Sequence, residues 1–410
     1  MPEYRRNPDA LSAEEILGDR AIFLSKRSDV SPFIAMDMFR AANEMEARAA
    51  ETGLSVVHME LGQPAVPPPA RVIEAAKRSL DEGRIGYTEA LGIPALRERI
   101  AQHYKEYYGV ELSPSRVVVT TGSSGAFLLA FLLAFDSGAA MALADPGYPA
   151  YRNILSVLGI RPVSMLASPE NGFQPTPALV EAARLGEGEQ GLDGLLLTSP
   201  ANPTGSMIGA GDLKTLIEYC RTHGIRVISD EIYHGITFGI RAETALAYDD
   251  DAVVINSFSK YFCLTGLRVG WMVVPENFVR PAERLAQNLF ISPPTMAQHA
   301  ALASFDCLDE LDEVVAGYAR NRAMLMEGLP KAGFEDFAPA NGAFYFYANV
   351  AERTNDSEAF CLKMLQETGV ATTPGTDFDH ARGHGYLRFS FAGSGEQMAE
   401  AIKRLKAWRP

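Results

Sequence analysis

Lysine is rare inside a protein because its charge must be shed or paired. Lys260 follows the strand-like run Val253–Ser257, and Arg268 comes eight residues later in Thr265-Gly266-Leu267-Arg268-Val269-Gly270. A lysine held there with a depressed pKa is neutral and nucleophilic, able to form a Schiff base with a carbonyl. Ser257, Ser259 and Arg268 are the donors suited to a phosphate dianion. Four other segments put polar groups where strand-like runs end. Gly122-Ser123-Ser124-Gly125 offers backbone N–H groups and hydroxyls at the positive end of an apolar helix, which suits phosphate. Asp145-Pro146-Gly147-Tyr148-Pro149 supplies Tyr148 as a stacking ring, and Asn202-Pro203-Thr204-Gly205 supplies an amide. In Asp230-Glu231-Ile232-Tyr233 a carboxylate stands where a buried strand ends, so it must be paired. Taken singly, each also fits a bland role: a solvated lysine, a helix cap or a turn.

The elements that would position these groups alternate. Arg116–Thr121, Ala139–Ala144, Leu195–Thr198, Arg226–Ser229, Val253–Ser257 and Val269–Val274 read as strands. Ser124–Phe135, Pro149–Gly159 and Asp212–Thr222 read as helices between them. That pattern predicts an α/β fold, a mostly parallel sheet sandwiched by helices. Ligands of such sheets bind outside the carboxyl ends of the strands, so the polar segments should converge. Beyond residue 300 the pattern changes to a long helix, Leu311–Leu329, then strands at Ala343–Tyr347, Val370–Thr373 and Tyr386–Phe391, and a closing helix, Gly395–Trp408. The expected organisation is a large domain over 65–300 and a smaller α+β domain over 301–410, with the segment 1–64 packing against the latter. The Pro-rich stretch Pro64–Pro69 would cross between them.

Composition narrows the function. The chain has 410 residues, 47% hydrophobic and 21% charged, with 37 Lys and Arg against 51 Asp and Glu, a formal charge of −14. Such an acidic chain has no general attraction to nucleic acid or anionic lipid, and neither is an expected partner. Cys220, Cys263, Cys307 and Cys361 form no CxxC pair, which excludes zinc-ribbon and thioredoxin-type chemistry and argues against a disulfide framework. Arg5 and Arg6 near the start have no apolar run behind them, and Ala126–Phe135 is too short to span a bilayer, so the cytoplasm is expected. Residues 186–191 match GxGxxG, but they precede a strand and carry two glutamates, so they read as an exposed loop. His380 and His384 have helical metal-ligand spacing, but Gly383 and Gly385 oppose a helix and a third ligand is missing; no metal is expected. Cys263 reads as packing.

The inventory at the strand ends is therefore a Schiff-base lysine, a phosphate cradle, a carboxylate for a pyridinium and an aromatic face. These are the requirements of pyridoxal 5′-phosphate. The motifs SFSK…TGLRVG, DPGYP, NPTG, DEIY and GSSGA follow one another in the order of a known family, and the chain resembles the fold type I enzymes of the aspartate aminotransferase superfamily, class I/II. The resemblance implies that Lys260 holds the coenzyme and that Asp230 pairs with its ring nitrogen. Tyr233 and Asn202 would hydrogen-bond its phenolic oxygen, and Tyr148 would stack on the ring. Ser123, Ser124, Ser257, Ser259 and Arg268 would hold the phosphate. Tyr87, in Gly86-Tyr87-Thr88, would reach the phosphate of a neighbouring subunit, so a homodimer is implied. Arg388, in Tyr386-Leu387-Arg388-Phe389-Ser390, would take the substrate carboxylate, and Gly62, in Leu61-Gly62-Gln63-Pro64, would line the pocket together with Asn202. The expected reaction moves the α-amino group of an L-amino acid to a 2-oxo acid by a ping-pong course. The alternatives are a C–S lyase or other lyase on the same framework and a non-enzymatic coenzyme-sensing regulator; a nicotinamide-dependent dehydrogenase is disfavoured by the missing glycine fingerprint.

Overall fold

The computed structural model describes residues 24–409. The expectation about Arg5 and Arg6 lies outside them. Helix α1 (Ile34–Ala47) leads to strand β1 (Val57–His58), and helices α2 (Ala70–Asp81) and α3 (Pro94–His103) follow. Then come β2 (Val117–Thr120), α4 (Gly122–Ala134), β3 (Ala140–Asp145), α5 (Pro149–Leu158), β4 (Arg161–Leu166), α6 (Pro177–Gly186), β5 (Gly194–Thr198), α7 (Ala210–Thr222), β6 (Arg226–Asp230), β7 (Val253–Ser257) and β8 (Gly270–Val273).

These strands form one sheet of seven in the order β2-β8-β7-β6-β5-β3-β4, in which β8 alone runs against the rest. Alternation builds the layers. Val117, Val119, Leu195, Leu197, Val254, Trp271 and Val273 enter the core under α3 and α7. Their neighbours Val118, Leu196, Val253, Ile255 and Met272 enter a separate core under α4. Side chains alternate along a strand, so a sheet buried on both faces needs continuous apolar runs, as this sequence has. Helix α4 is apolar nearly all round because most of it is buried, with Ser124 and Leu132 exposed. Since β2, β3, β5, β6 and β7 are mutually parallel, their carboxyl ends lie along one edge, and every polar segment singled out above begins there.

The second part of the chain contains α8 (Glu276–Leu289), α9 (Thr295–Ser304), the long α10 (Leu308–Gly328), β9 (Tyr345–Asn349), α11 (Ser357–Thr368), β10 (Val370–Ala371), β11 (Thr373–Pro374), β12 (Tyr386–Ser390) and α12 (Gly395–Ala407). Strands β11, β12 and β9 form an antiparallel sheet. Strand β1 pairs in parallel with β10, Val57 opposite Val370 and His58 opposite Ala371. Three expectations need correction. Val370–Thr373 is not one strand: it splits between two sheets at Thr372. Ala343–Tyr347 is shifted to Tyr345–Asn349. The sixth run is shorter, Gly270–Val273. Strand β4 was not expected at all, because at the sheet edge it stays mostly solvated and lacks an apolar run.

Among the described residues, no helix is long and apolar enough to cross a membrane, and no group of three His, Cys, Asp or Glu could hold a metal ion. His384 lies in a single 3-10 turn, Gly383–Gly385. Residues 186–191 form the end of α6 and a 3-10 turn before β5. All four cysteines are buried and unpaired.

Candidate active site

A cavity of about 230 Å³ lies at the carboxyl edge of the sheet, roofed by the β9–β12 sheet and the start of α1. Gly62, Ser123, Ser124, Tyr148, Asn202, Asp230, Tyr233, Ser259, Lys260, Arg268 and Arg388 all line it. Lys260 donates to the carbonyl of Gly62 at 2.6 Å. Burial, and then the positive charge of Arg388, pull its amine down to about 8, with Asp230 pulling the other way. An amine so placed is neutral in an appreciable fraction of molecules near neutral pH, which is what nucleophilic attack requires.

Asp230 ends β6 with 1% exposure, and burial pushes its carboxyl up to about 6. Two donors hold it: the Ile232 N–H on Oδ1 at 3.1 Å and the Tyr151 hydroxyl on Oδ2. Each oxygen keeps a lone pair for a cationic partner, and the nearby Lys260 charge favours its ionised form. Sequence reasoning missed Tyr151. The signal was present, since Tyr151 lies three residues after Tyr148, the spacing of one helix face. The two rings meet at 5.2 Å.

At the other end of the cavity, α4 starts with Gly122 at φ +68, where a side chain would be strained. A Cβ there would lie 2.4 Å from the Arg268 guanidinium, so that guanidinium rests against the first turn of the helix. Ser123, Ser124 and Ser259 face the same space. Ser257 stands behind them, with 1% exposure, its hydroxyl donating to that of Ser259 at 3.0 Å. Its part in any anion site is thus to orient Ser259. Arg268 is exposed on this side of the chain.

Arg388 projects from β12 away from the buried pair Leu387 and Phe389. It is 3% exposed. Its Nη1 donates to Asn202 Oδ1 at 3.0 Å, and its Nη2 to Thr373 Oγ1 at 3.1 Å and to the carbonyl of Glu60. Its Nε has no partner among the described residues. No carboxylate comes within ion-pair range among the described residues. Its guanidinium carbon stands 4.6 Å from the centre of the Tyr345 ring, whose hydroxyl meets that of Tyr233 at 2.7 Å. Tyr345 was hidden in the aromatic run Phe344–Tyr347, which reads as core. The remaining wall is mixed: Phe33, Met36, Leu61, Phe127 and Ile154 are apolar, while Glu60, Gln63 and Thr265 are polar. Tyr87 is not in this cavity; it is 83% exposed on its own chain.

The arrangement offers a nucleophilic amine, a buried carboxylate, an anion cradle and a second guanidinium with no carboxylate partner among the described residues. Comparison with known proteins agrees. The family described as aminotransferase class I and II matches residues 55–405. A valine–pyruvate aminotransferase of Mycobacterium tuberculosis is 44% identical over 388 residues, 94% of this chain and 98% of the relative. The crystal structure of an aminotransferase from Mycobacterium tuberculosis superposes with a TM-score of 0.90 at 43% identity, covering 94% of this chain and 99% of that one. The aspartate aminotransferase of Thermus thermophilus, solved with maleate, gives 0.85 at 28% identity over the same shares.

Proposed function

The chain belongs to the class I and II aminotransferases of fold type I and transfers an amino group from an amino acid to a 2-oxo acid, and from that premise we propose that its coenzyme is pyridoxal 5′-phosphate and its donor an amino acid with an apolar side chain. The residues fit the coenzyme. Lys260 is the amine that would hold it, Asp230 the carboxylate for its ring nitrogen, and Tyr148 the stacking ring. Tyr233 and Asn202 would reach its phenolic oxygen. Ser123, Ser124, Ser259 and Arg268 would hold the phosphate, with Ser257 behind them. When bound, the coenzyme supplies an aldehyde that condenses with the donor amine and a cationic ring that accepts the electron pair of the Cα–H bond.

The protein's own part is binding, orientation and proton movement. Arg388 takes the α-carboxylate and so fixes which bond at Cα stands ready to break. The Lys260 Nζ, once released, takes the proton from Cα and returns it elsewhere, a general acid–base role. Asp230 would hold a negative charge at the ring nitrogen, which would keep the ring cationic. Residues 65–300 carry the coenzyme groups, while 301–410, with the segment before residue 65, bring Arg388 and the apolar roof. A homodimer completes the site through Tyr87, and the cytoplasm is its compartment.

One observation carries this reading: a buried guanidinium, Arg388, with no carboxylate in ion-pair range and an unused N–H among the described residues. A buried charge left unpaired costs several kcal/mol, about what a substrate carboxylate would return. The lack of a spare cation supports the donor class, since Arg388, Lys260 and Arg268 are the only Lys or Arg among the described residues that line the cavity, and all three have other roles. A side-chain carboxylate has no partner there.

L-Valine and pyruvate should give 3-methyl-2-oxobutanoate and L-alanine, with parallel lines in double-reciprocal plots. Aspartate should be poorer by at least about tenfold in kcat/KM. Borohydride should fix the coenzyme on Lys260, and Lys260→Ala should abolish turnover. Release of ammonia without an acceptor, or failure to trap at Lys260, overturns the proposal.

A further inference from the structure

Helix α1 starts without a cap of its own. Its N-cap position holds Phe33, where no side chain of the helix start accepts a backbone N–H and where Ser, Thr, Asp or Asn is usual. Phe33 belongs instead to the wall of the catalytic cavity, with Ala35 and Met36 of the first turn. Its ring meets that of Tyr148 edge-on at 5.6 Å. A phenyl group can line that wall, but it cannot satisfy the free N–H groups of a helix start.

The cap comes from far along the chain. Asp377 lies in a 3-10 turn, Gly375–Asp377, with 2% exposure. Its Oδ1 accepts the Ile34 N–H at 3.0 Å and its Oδ2 the Ala35 N–H at 3.2 Å. A carboxylate on two N–H groups at the positive end of a helix makes charge-assisted bonds, stronger than those of a hydroxyl cap. The same short segment reaches two other walls of the cavity. Thr373 Oγ1 accepts from Arg388 Nη2 at 3.1 Å. The Asp377 carbonyl accepts from Arg152 Nη2 at 2.6 Å, on the helix α5 that follows Tyr148 and carries Tyr151. Residues 373–377 therefore tie the guanidinium that would take a carboxylate to the apolar first turn of α1.

We infer that Asp377 is a positioning residue for substrate selection: by capping α1 it holds Phe33 and Met36 against the side chain of an amino acid whose carboxylate lies on Arg388. The inference rests on the apolar donor class proposed above. Asp377 does not line the cavity itself and acts through the first turn of α1.

Acetate and 3-methylbutanoate separate the two ends of such a ligand, since they share a carboxylate for Arg388 and differ in the apolar tail. Calorimetric titration of the coenzyme-loaded wild-type protein should show 3-methylbutanoate binding at least about tenfold tighter, as withdrawing the longer tail from water provides. Asp377→Ala should cut that preference to about threefold or less while leaving acetate within about twofold of wild type. Asp377→Asn, which keeps one acceptor oxygen, should lie between them and replaces the first variant should that one fold poorly. Phe33→Ala should lose most of the preference by itself. Adding it to Asp377→Ala should cost less than about twofold more, because both act through one ring. A merely structural role would weaken both acids together. That result refutes the inference, as does a preference that survives both Asp377 substitutions or full additivity with Phe33→Ala. A wild-type protein indifferent to the tail would refute the donor class, and the inference with it.

Discussion

In the proposed role Asp230 would act only while ionised, and the Tyr151 hydroxyl is foremost among the groups that favour that form. Burial alone pushes this carboxyl up; the Tyr151 hydroxyl and the Ile232 N–H pull it back, leaving it at about 6. Hydrogen bonds to the charged form favour that form, and a phenol donating to a carboxylate contributes about 1.5–3 kcal/mol. Tyr151→Phe keeps the ring packed between Phe127 and Tyr148 and removes only the donor. Coenzyme affinity should fall about tenfold or more. The sign with pH follows: the wild-type chain should lose affinity as pH falls through about 6, and the variant should begin to lose it nearer neutrality. Equilibrium dialysis of the coenzyme across that range distinguishes this from a merely structural effect, which would lower affinity equally at every pH.

Elements explain which parts of the molecule could be read from sequence. Runs such as Val117–Thr120 and Val253–Ser257 announce themselves because both faces are buried, and the groups that matter sit where those runs stop. Asp230, Lys260 and Ser123 were therefore legible. Contacts between distant elements were not. Gly62 and Tyr345 are far apart in sequence, yet a Cβ on Gly62 would stand 1.8 Å from the Tyr345 hydroxyl. Gly62→Ala should push Tyr345 off Tyr233 and out from under Arg388, costing about 1–3 kcal/mol as overpacking does. The expected outcome is a higher KM for the amino acid and a lower Tm, read by kinetics and calorimetry.

The link from α1 to β1 was equally hidden. His58 on β1 meets Glu60 at 2.7 Å and Glu46 on α1 at 3.2 Å. The Glu60 hydrogen bond chiefly raises the His58 imidazole to about 9, against the opposing effect of burial. A group whose folded pKa lies above its unfolded value of 6.5 stabilises fully below 6.5 and loses that effect as pH climbs through 9. His58→Gln should therefore lower Tm near pH 6 and much less above pH 9. A difference in Tm that stays constant across that range would refute the role of the charge.

On the scale of the whole molecule, the outstanding fact is a site with ample groups but an exposed edge. Arg268 faces solvent, and Tyr87 and Ile85, 83% and 69% exposed, stand on a loop tied to α9 through Thr295 and the carbonyl of Gly86. Large exposed side chains of this kind are what a two-fold interface would cover. If Tyr87 serves its partner's site, two inactive variants can repair each other. A Lys260→Ala subunit retains Tyr87, and a Tyr87→Ala subunit retains Lys260. In a mixed dimer the second subunit then holds its own lysine and receives an intact tyrosine, while the first holds neither. Random reassortment of equal amounts makes half the dimers mixed, so about one quarter of all sites should regain wild-type activity. If Tyr87 instead served its own chain, no site in any mixed dimer would be complete. Activity would stay at half the residual rate of the Tyr87→Ala enzyme. Unfolding and refolding the two variants together, then measuring turnover per site, decides between these arrangements without any structure of the assembly.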